Sequence, residues 1–218
     1  MAVQVFYCSI EPLREQQLFE HYLTCVPHER RERVASLHRE DDRLRSLGAG
    51  LMLEHALNRM AVPQSRRRVE RLANGKPILA DAPLQFSLSH SGDVALCAIS
   101  EGVVGADVQL PKEPSRNLLQ RVCSEVELAW LASRENSAQA FTALWTRKES
   151  LLKATNRTIS EPLGQISVLE EGPLQFSERE LLGLPACVCC PAGEDVIWSE
   201  VDLALEEIQN SFDSWSQF

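Results

Sequence analysis

The chain has 218 residues, 44% hydrophobic and 24% charged, which excludes wholesale disorder and lets a core form without disulfides or a structural metal. A formal net charge of −9 argues against a nucleic-acid partner. No apolar run approaches the roughly 20 residues of a membrane span, and the opening MAVQVFYCSI lacks a basic leader, so the chain reads as cytoplasmic with no membrane partner.

From the N-terminus, Ala2–Ile10 reads as a strand, and Pro12 suits the first position of a helix over Leu13–Cys25. His28–Leu37 is a short arginine-rich helix. Glu40–Met60 is a longer one, with Leu44, Leu47, Leu51, Leu53 and Leu57. Arg68–Leu72 reads as a strand leading into a turn at Asn74-Gly75-Lys76-Pro77, where Asn-Gly tolerates positive φ. Three strands follow, Leu84–Ser89, Val94–Ser100 and Val103–Gln109, with hairpin-type connections at Ser91-Gly92-Asp93 and Glu101-Gly102. Helices come next at Leu118–Val122 and Ser124–Ser133, the second opened by a Ser124/Glu127 capping box. Ser137–Ala154 is the strongest helix, with Asn156 as a left-handed cap. Short strands at Ile166–Leu169, Cys187–Cys190 and Val196–Glu200 complete the chain. Helices and mostly antiparallel strands in both halves make the fold α+β with two similar-sized lobes.

Charge and cysteine are informative by position. Residues 1–76 hold 13 Lys/Arg and 10 Asp/Glu, while residues 77–218 hold 9 and 21, so an arginine excess sits in an acidic protein and suits a small anionic ligand. The seven cysteines are odd in number and irregularly spaced. They read as reduced thiols, with Cys187-Val188-Cys189-Cys190 a buried strand and not half of a zinc site.

Three places depart from plain structural patterning. On the helix Ala140–Ala154, Trp145, Glu149 and Lys153 form one stripe beside Lys148; this is either a surface Glu149–Lys153 ion pair or the wall of a cleft. On a strand, Asp107 and Gln109 face the same side, as a solvent-facing pair or as oxygen donors for a hard cation such as Mg²⁺. His90 stands just past a strand among Ser87, Ser89 and Ser91, as a turn residue or a functional one.

Taken in order, Asn74-Gly75-Lys76-Pro77, Ser87-Leu88-Ser89-His90-Ser91, Gly105-Ala106-Asp107-Val108-Gln109 and Trp145-Thr146-Arg147-Lys148-Glu149-Ser150-Leu151-Leu152-Lys153 resemble the 4′-phosphopantetheinyl transferases of the surfactin-synthetase-activating type. That family carries a GKP turn, an SxSHS strand end, a G(V/I)D(V/I)E metal strand and a WxxKES/A-xxK helix. The spacing fits: His90 lies 15 residues after Gly75, Asp107 lies 17 after His90, and Glu149 lies 42 after Asp107. The resemblance runs from about His28 to the Pro162–Val168 segment.

The resemblance implies transfer of the phosphopantetheine arm of coenzyme A to a serine of an apo acyl or peptidyl carrier protein, with Mg²⁺, releasing 3′,5′-ADP. Asp107, Gln109 and Glu149 would hold the metal, and Glu149 would take the serine proton. Lys153 would neutralise the departing phosphate. Ser89 and His90 would bind coenzyme A phosphates, Lys76 and Arg45 its nucleotide end, and one of Arg30, Arg31 and Arg33 the 3′-phosphate. It further implies a monomer whose lobes, residues 1–102 for the nucleotide end and 103–218 for the metal and catalytic helix, are related by pseudo-two-fold symmetry. Gln109 departs from the family's glutamate and is a neutral, weaker donor. It is the best support for the alternative, a non-catalytic scaffold that binds coenzyme A or a carrier.

Overall fold

The computed structural model describes residues 2–135, 137–158 and 162–216. Two antiparallel-rich sheets and their helices form two lobes. The first sheet contains β1 (Val3–Ser9), β4 (Gln85–Ser91), β5 (Val94–Ser100) and β9 (Val196–Glu200) in the order β4-β5-β1-β9. Around it lie α1 (Gln16–Thr24), α2 (His28–Ser36) and α3 (Glu40–Arg59). A separate ribbon pairs β2 (Val69–Arg71) with β3 (Pro77–Leu79). The second sheet, in the order β6-β8-β7, is built from β6 (Gly105–Val108), β7 (Leu174–Leu181) and β8 (Leu184–Pro191). It carries α4 (Arg116–Val122), α5 (Glu125–Ala132) and α6 (Ser137–Ala154), and α7 (Glu206–Ser216) ends the chain.

The two faces of β5 explain its unbroken apolar run. Ala95, Cys97 and Ile99 join the core under α3, while Val94, Leu96 and Ala98 meet Val104, Ala106, Val108 and Val188 of the second sheet. A strand covered on both sides needs no polar alternation. Cys187 and Cys189 are likewise buried in β8, and all seven cysteines are free thiols.

Three expectations are corrected. The Leu13–Cys25 helix is broken: Glu11–Arg14 forms one 3₁₀ turn, Glu15 is extended, and α1 starts at Gln16. Leu13 turns into the core while the Arg14 guanidinium reaches Asp41 and Asp93, so the chain is pinned before the helix proper. Glu101-Gly102 is not a hairpin, because β5 already has β4 and β1 on its two edges; β6 pairs with β8 instead, with Asp107 opposite Cys187. Ile166–Leu169 is not a strand, being held by side chains of α5 and α6 described below. The strand β7 and the helix α7 lie where no element was expected. After residue 195 the chain returns to the first lobe: β9 runs parallel to β1, and Phe212 packs edge-on against Tyr22.

The seam between the sheets is made by side chains. Ser87, Ser89 and Ser91 project from one side of β4, and their hydroxyl oxygens accept from the amides of Ala106 (2.9 Å), Val108 (3.3 Å) and Leu110 (2.9 Å). Hydroxyls thus satisfy an edge of β6 that would otherwise present unpaired amides. On the opposite side α6 lies directly on β6. A Cβ at Gly105 would fall on the Ser150 carbonyl oxygen and the Ala154 amide nitrogen, so only glycine permits this approach.

A buried ion pair fixes α6 from its other side. Lys148 and Glu127 are 1% and 0% exposed and meet at 2.8 Å. The Lys148 ammonium also donates to the carbonyls of Leu163 (3.0 Å) and Ile166 (2.5 Å), and Glu127 accepts from the amides of Ser124 (2.7 Å) and Val168 (3.0 Å). The predicted capping box is present and is also the counter-ion of a buried lysine. Removing one partner strands a charge in the core. Lys148→Met should therefore cost about 3–5 kcal/mol in urea unfolding, and adding Glu127→Leu should restore a large part of it.

Candidate functional site

Between the lobes lies a cleft of about 660 Å³ lined by β4, β6, α6, the β2–β3 turn and α2. In it the Asp107 carboxylate is 2% exposed and takes three donors, from β4, from α6 and from the residue just past β6. Its Oδ1 accepts from Ser89 Oγ at 2.8 Å and Lys153 Nζ at 2.7 Å, and its Oδ2 accepts from Gln109 Nε2 at 3.1 Å. Alternation along β6 thus brings Asp107 and Gln109 to the same side, as expected. The surface ion pair between Glu149 and Lys153 does not form: Lys153 reaches Asp107 instead, and it donates to the Ala106 carbonyl at 2.9 Å.

Glu149 enters the cleft from α6, one turn before Lys153, with Trp145 another turn back. Burial, and next the negative charge of Asp107, raise its carboxyl pKa, and Lys153 offsets part of that. Two carboxylates repelling each other across a cleft, with amide and hydroxyl oxygens alongside, suit a hard divalent cation. Among the described residues no three His, Cys, Asp or Glu side chains form a metal-ligand cluster.

The cleft is also rich in cations. Arg30, Arg33, Arg71, Lys76 and Arg157 line it, whereas Arg31 does not. Desolvation, and next the charges of Arg33 and Arg71, pull the Arg30 pKa down to about 10. An anion arriving there would relieve that repulsion and replace lost hydration with charge-assisted bonds. His90 also lines the cleft. Desolvation and the nearby Arg45 and Lys153 lower its pKa, which favours the neutral imidazole.

Asp107, Gln109, Glu149, Lys153, Ser89, His90 and Lys76 thus share one cleft. Arg45 is not among its lining residues. Its guanidinium donates to the Gly92 carbonyl at 2.8 Å and to Asp42 at 2.9 Å, which pins the β4–β5 turn just past His90. Sequence reasoning missed Arg71 and Arg157, whose place in the cleft depends on the ribbon and on the end of α6.

The raised carboxyl of Glu149 has a consequence for stability. A carboxyl that holds its proton more tightly in the folded chain loses stability as pH rises from its ordinary range through the raised value. Glu149→Gln should therefore unfold at a higher temperature than the parent at pH 7, and the two should converge below the ordinary carboxyl range. Calorimetry across pH checks this.

Comparison with known proteins places the chain among relatives. Residues 11–102 match a family model described as the N-terminal part of 4′-phosphopantetheinyl transferases, and residues 103–201 match the 4′-phosphopantetheinyl transferase superfamily model. The chain is 32% identical over 173 residues to a putative 4′-phosphopantetheinyl transferase of Synechocystis, covering 75% of this chain and 68% of that one. It is 28% identical over 161 residues to the 4′-phosphopantetheinyl transferase Sfp of Bacillus subtilis, covering 72% and 71%. With the 4′-phosphopantetheinyl transferase gsp of Aneurinibacillus migulanus it shares 24% identity over 226 residues, covering 96% and 95%.

Proposed function

The chain belongs to the 4′-phosphopantetheinyl transferase superfamily, enzymes that transfer 4′-phosphopantetheine from coenzyme A to a carrier protein, and on that premise we propose that it is of the surfactin-synthetase-activating type. The observation that supports this is the convergence of Asp107 from β6 and Glu149 from α6 on one cleft that Arg30, Arg33, Arg71, Lys76 and Arg157 also line.

The substrates are coenzyme A and the serine of an apo acyl or peptidyl carrier protein. Residues 1–102 serve the nucleotide end, and residues 103–218 supply the metal-binding carboxylates and the catalytic helix. That division is one of roles, since β9 and α7 pack on the first lobe. Arg30 and Arg33 receive the 3′-phosphate, and Lys76 borders the nucleotide. Arg45, engaged by Gly92 and Asp42, acts behind the site by holding the turn next to His90. His90 and Ser89 meet the phosphates.

Asp107 and Glu149, with the Gln109 side-chain oxygen as a neutral third donor, would hold Mg²⁺. When bound, that ion neutralises the pyrophosphate and orients the attacked phosphorus. Glu149 accepts the proton of the carrier serine, directly or through a water. The serine oxygen then forms a bond to the phosphopantetheine phosphorus as the bond from that phosphorus to the 3′,5′-ADP oxygen breaks. Lys153, beside Asp107, compensates the charge growing on the departing phosphate. General-base help of this kind is worth roughly 10²–10⁴ in rate, so Glu149→Gln should lower transfer about 100-fold or more.

The protein acts as a cytoplasmic monomer. Free thiols suit a reducing compartment, and among the described residues no helix is long and apolar enough to cross a membrane. Mass spectrometry of an apo carrier incubated with the chain, coenzyme A and Mg²⁺ tests the reading: a phosphopantetheine adduct with release of 3′,5′-ADP is expected. Coenzyme A binding without an adduct on fatty-acid, polyketide or peptide carriers would favour the scaffold instead. Gln109→Glu replaces an amide donor to Asp107 with a third carboxylate. It should lower the Mg²⁺ concentration giving half-maximal rate; an unchanged requirement would remove Gln109 from the metal.

A further inference from the structure

The turn between β2 and β3 does more than reverse the chain. Asn74 uses both ends of its amide: Oδ1 accepts from the Lys76 amide at 3.1 Å, and Nδ2 donates to the Asn156 carbonyl at 2.8 Å. Two residues on, the Lys76 ammonium donates to the Lys153 carbonyl at 2.6 Å. The Lys153 carbonyl is one of the last of α6, which have no further turn to bond, and Asn156 lies two residues past the helix. Asn156 is the left-handed residue that closes this helix, with φ 57°. One turn of the first lobe therefore caps the catalytic helix of the second.

The ribbon carrying this turn is weak alone. Its strands have three residues each, β2 is exposed throughout, and it belongs to neither larger sheet. A lone two-stranded ribbon is marginal in water. Yet Arg71, Asn74, Gly75 and Lys76 form the cleft wall on this side, facing Asn156 and Arg157. Whatever fixes the ribbon to α6 sets the width and charge of the nucleotide end.

We propose that Asn74 is a positioning residue whose bond to the Asn156 carbonyl fastens the β2–β3 ribbon to the end of α6 and so sets affinity for coenzyme A. This rests on the reading of the cleft as the coenzyme A site. It leaves the chemical step alone, because the Lys153 ammonium is anchored separately by Asp107 and the Ala106 carbonyl. Only the backbone carbonyls at the end of the helix take part in the fastening.

Asn74→Ser separates fastening from turn formation. A serine hydroxyl still accepts from the amide two residues on, adds no charge, and is too short to reach Asn156. Titration calorimetry with coenzyme A should show Kd weakened about 3- to 10-fold, as expected for one hydrogen bond, with KM for coenzyme A rising in step. The kcat should stay within twofold. Hydrogen exchange should quicken together over residues 71–77 and 153–157. Unchanged Kd in Asn74→Ser, with the parent binding normally, overturns the fastening role alone. A fall in kcat without a change in KM, or quicker exchange confined to the ribbon, overturns it too. Failure of the parent chain to bind coenzyme A overturns this proposal together with the functional reading beneath it.

Discussion

Everything in the site depends on the contact of α6 with β6 at Gly105. Because that residue has no side chain, the helix backbone lies against the strand, and the cleft-facing stripe of α6 arrives beside Asp107. Glu149 then feels the charge of Asp107, and Lys153 bonds to it. Any side chain at position 105 would separate the two elements, and the carboxylates would no longer share a cleft. A packing constraint on one backbone position is thus what creates the electrostatics of the site.

Around that contact the protein uses polar groups as fasteners between elements that share no backbone ladder. Three hydroxyls join β4 to β6. Lys148 and Glu127 join α5, α6 and the 163–168 segment inside a dry core. Arg45 ties the β4–β5 turn to α3. Ser89 serves twice, since its oxygen accepts from Val108 while its proton goes to Asp107. Where such groups are buried, as at Ser87, Ser89, Lys148 and Glu127, they lock one arrangement, because moving any of them leaves a donor or acceptor unpaired.

The same cleft holds like charges near one another. Asp107 raises the Glu149 carboxyl, and Arg30 is pressed by burial and by Arg33 and Arg71. Both groups gain when ions of opposite sign arrive, a cation at the carboxylates and a phosphate at the arginines. Such a site spends folding stability on preorganisation, as functional sites commonly do.

Local patterns were enough to expect the long helices, the strand Val94–Ser100, the Ser124/Glu127 capping box and the Asn156 cap, because each depends on neighbours within a few residues. Motif order was likewise enough to bring Asp107, Glu149, Lys153 and His90 under one hypothesis. Partners across the chain were not legible. Whether Lys153 pairs with Glu149 on its own helix or with Asp107 on a strand 46 residues away, whether β6 pairs with β5 or β8, and whether Arg45 or Arg30 lines the cleft are all questions of which surfaces meet. Periodicity within a segment says which face is apolar and nothing about what covers it; only packing the two sheets and α6 together chooses the partners.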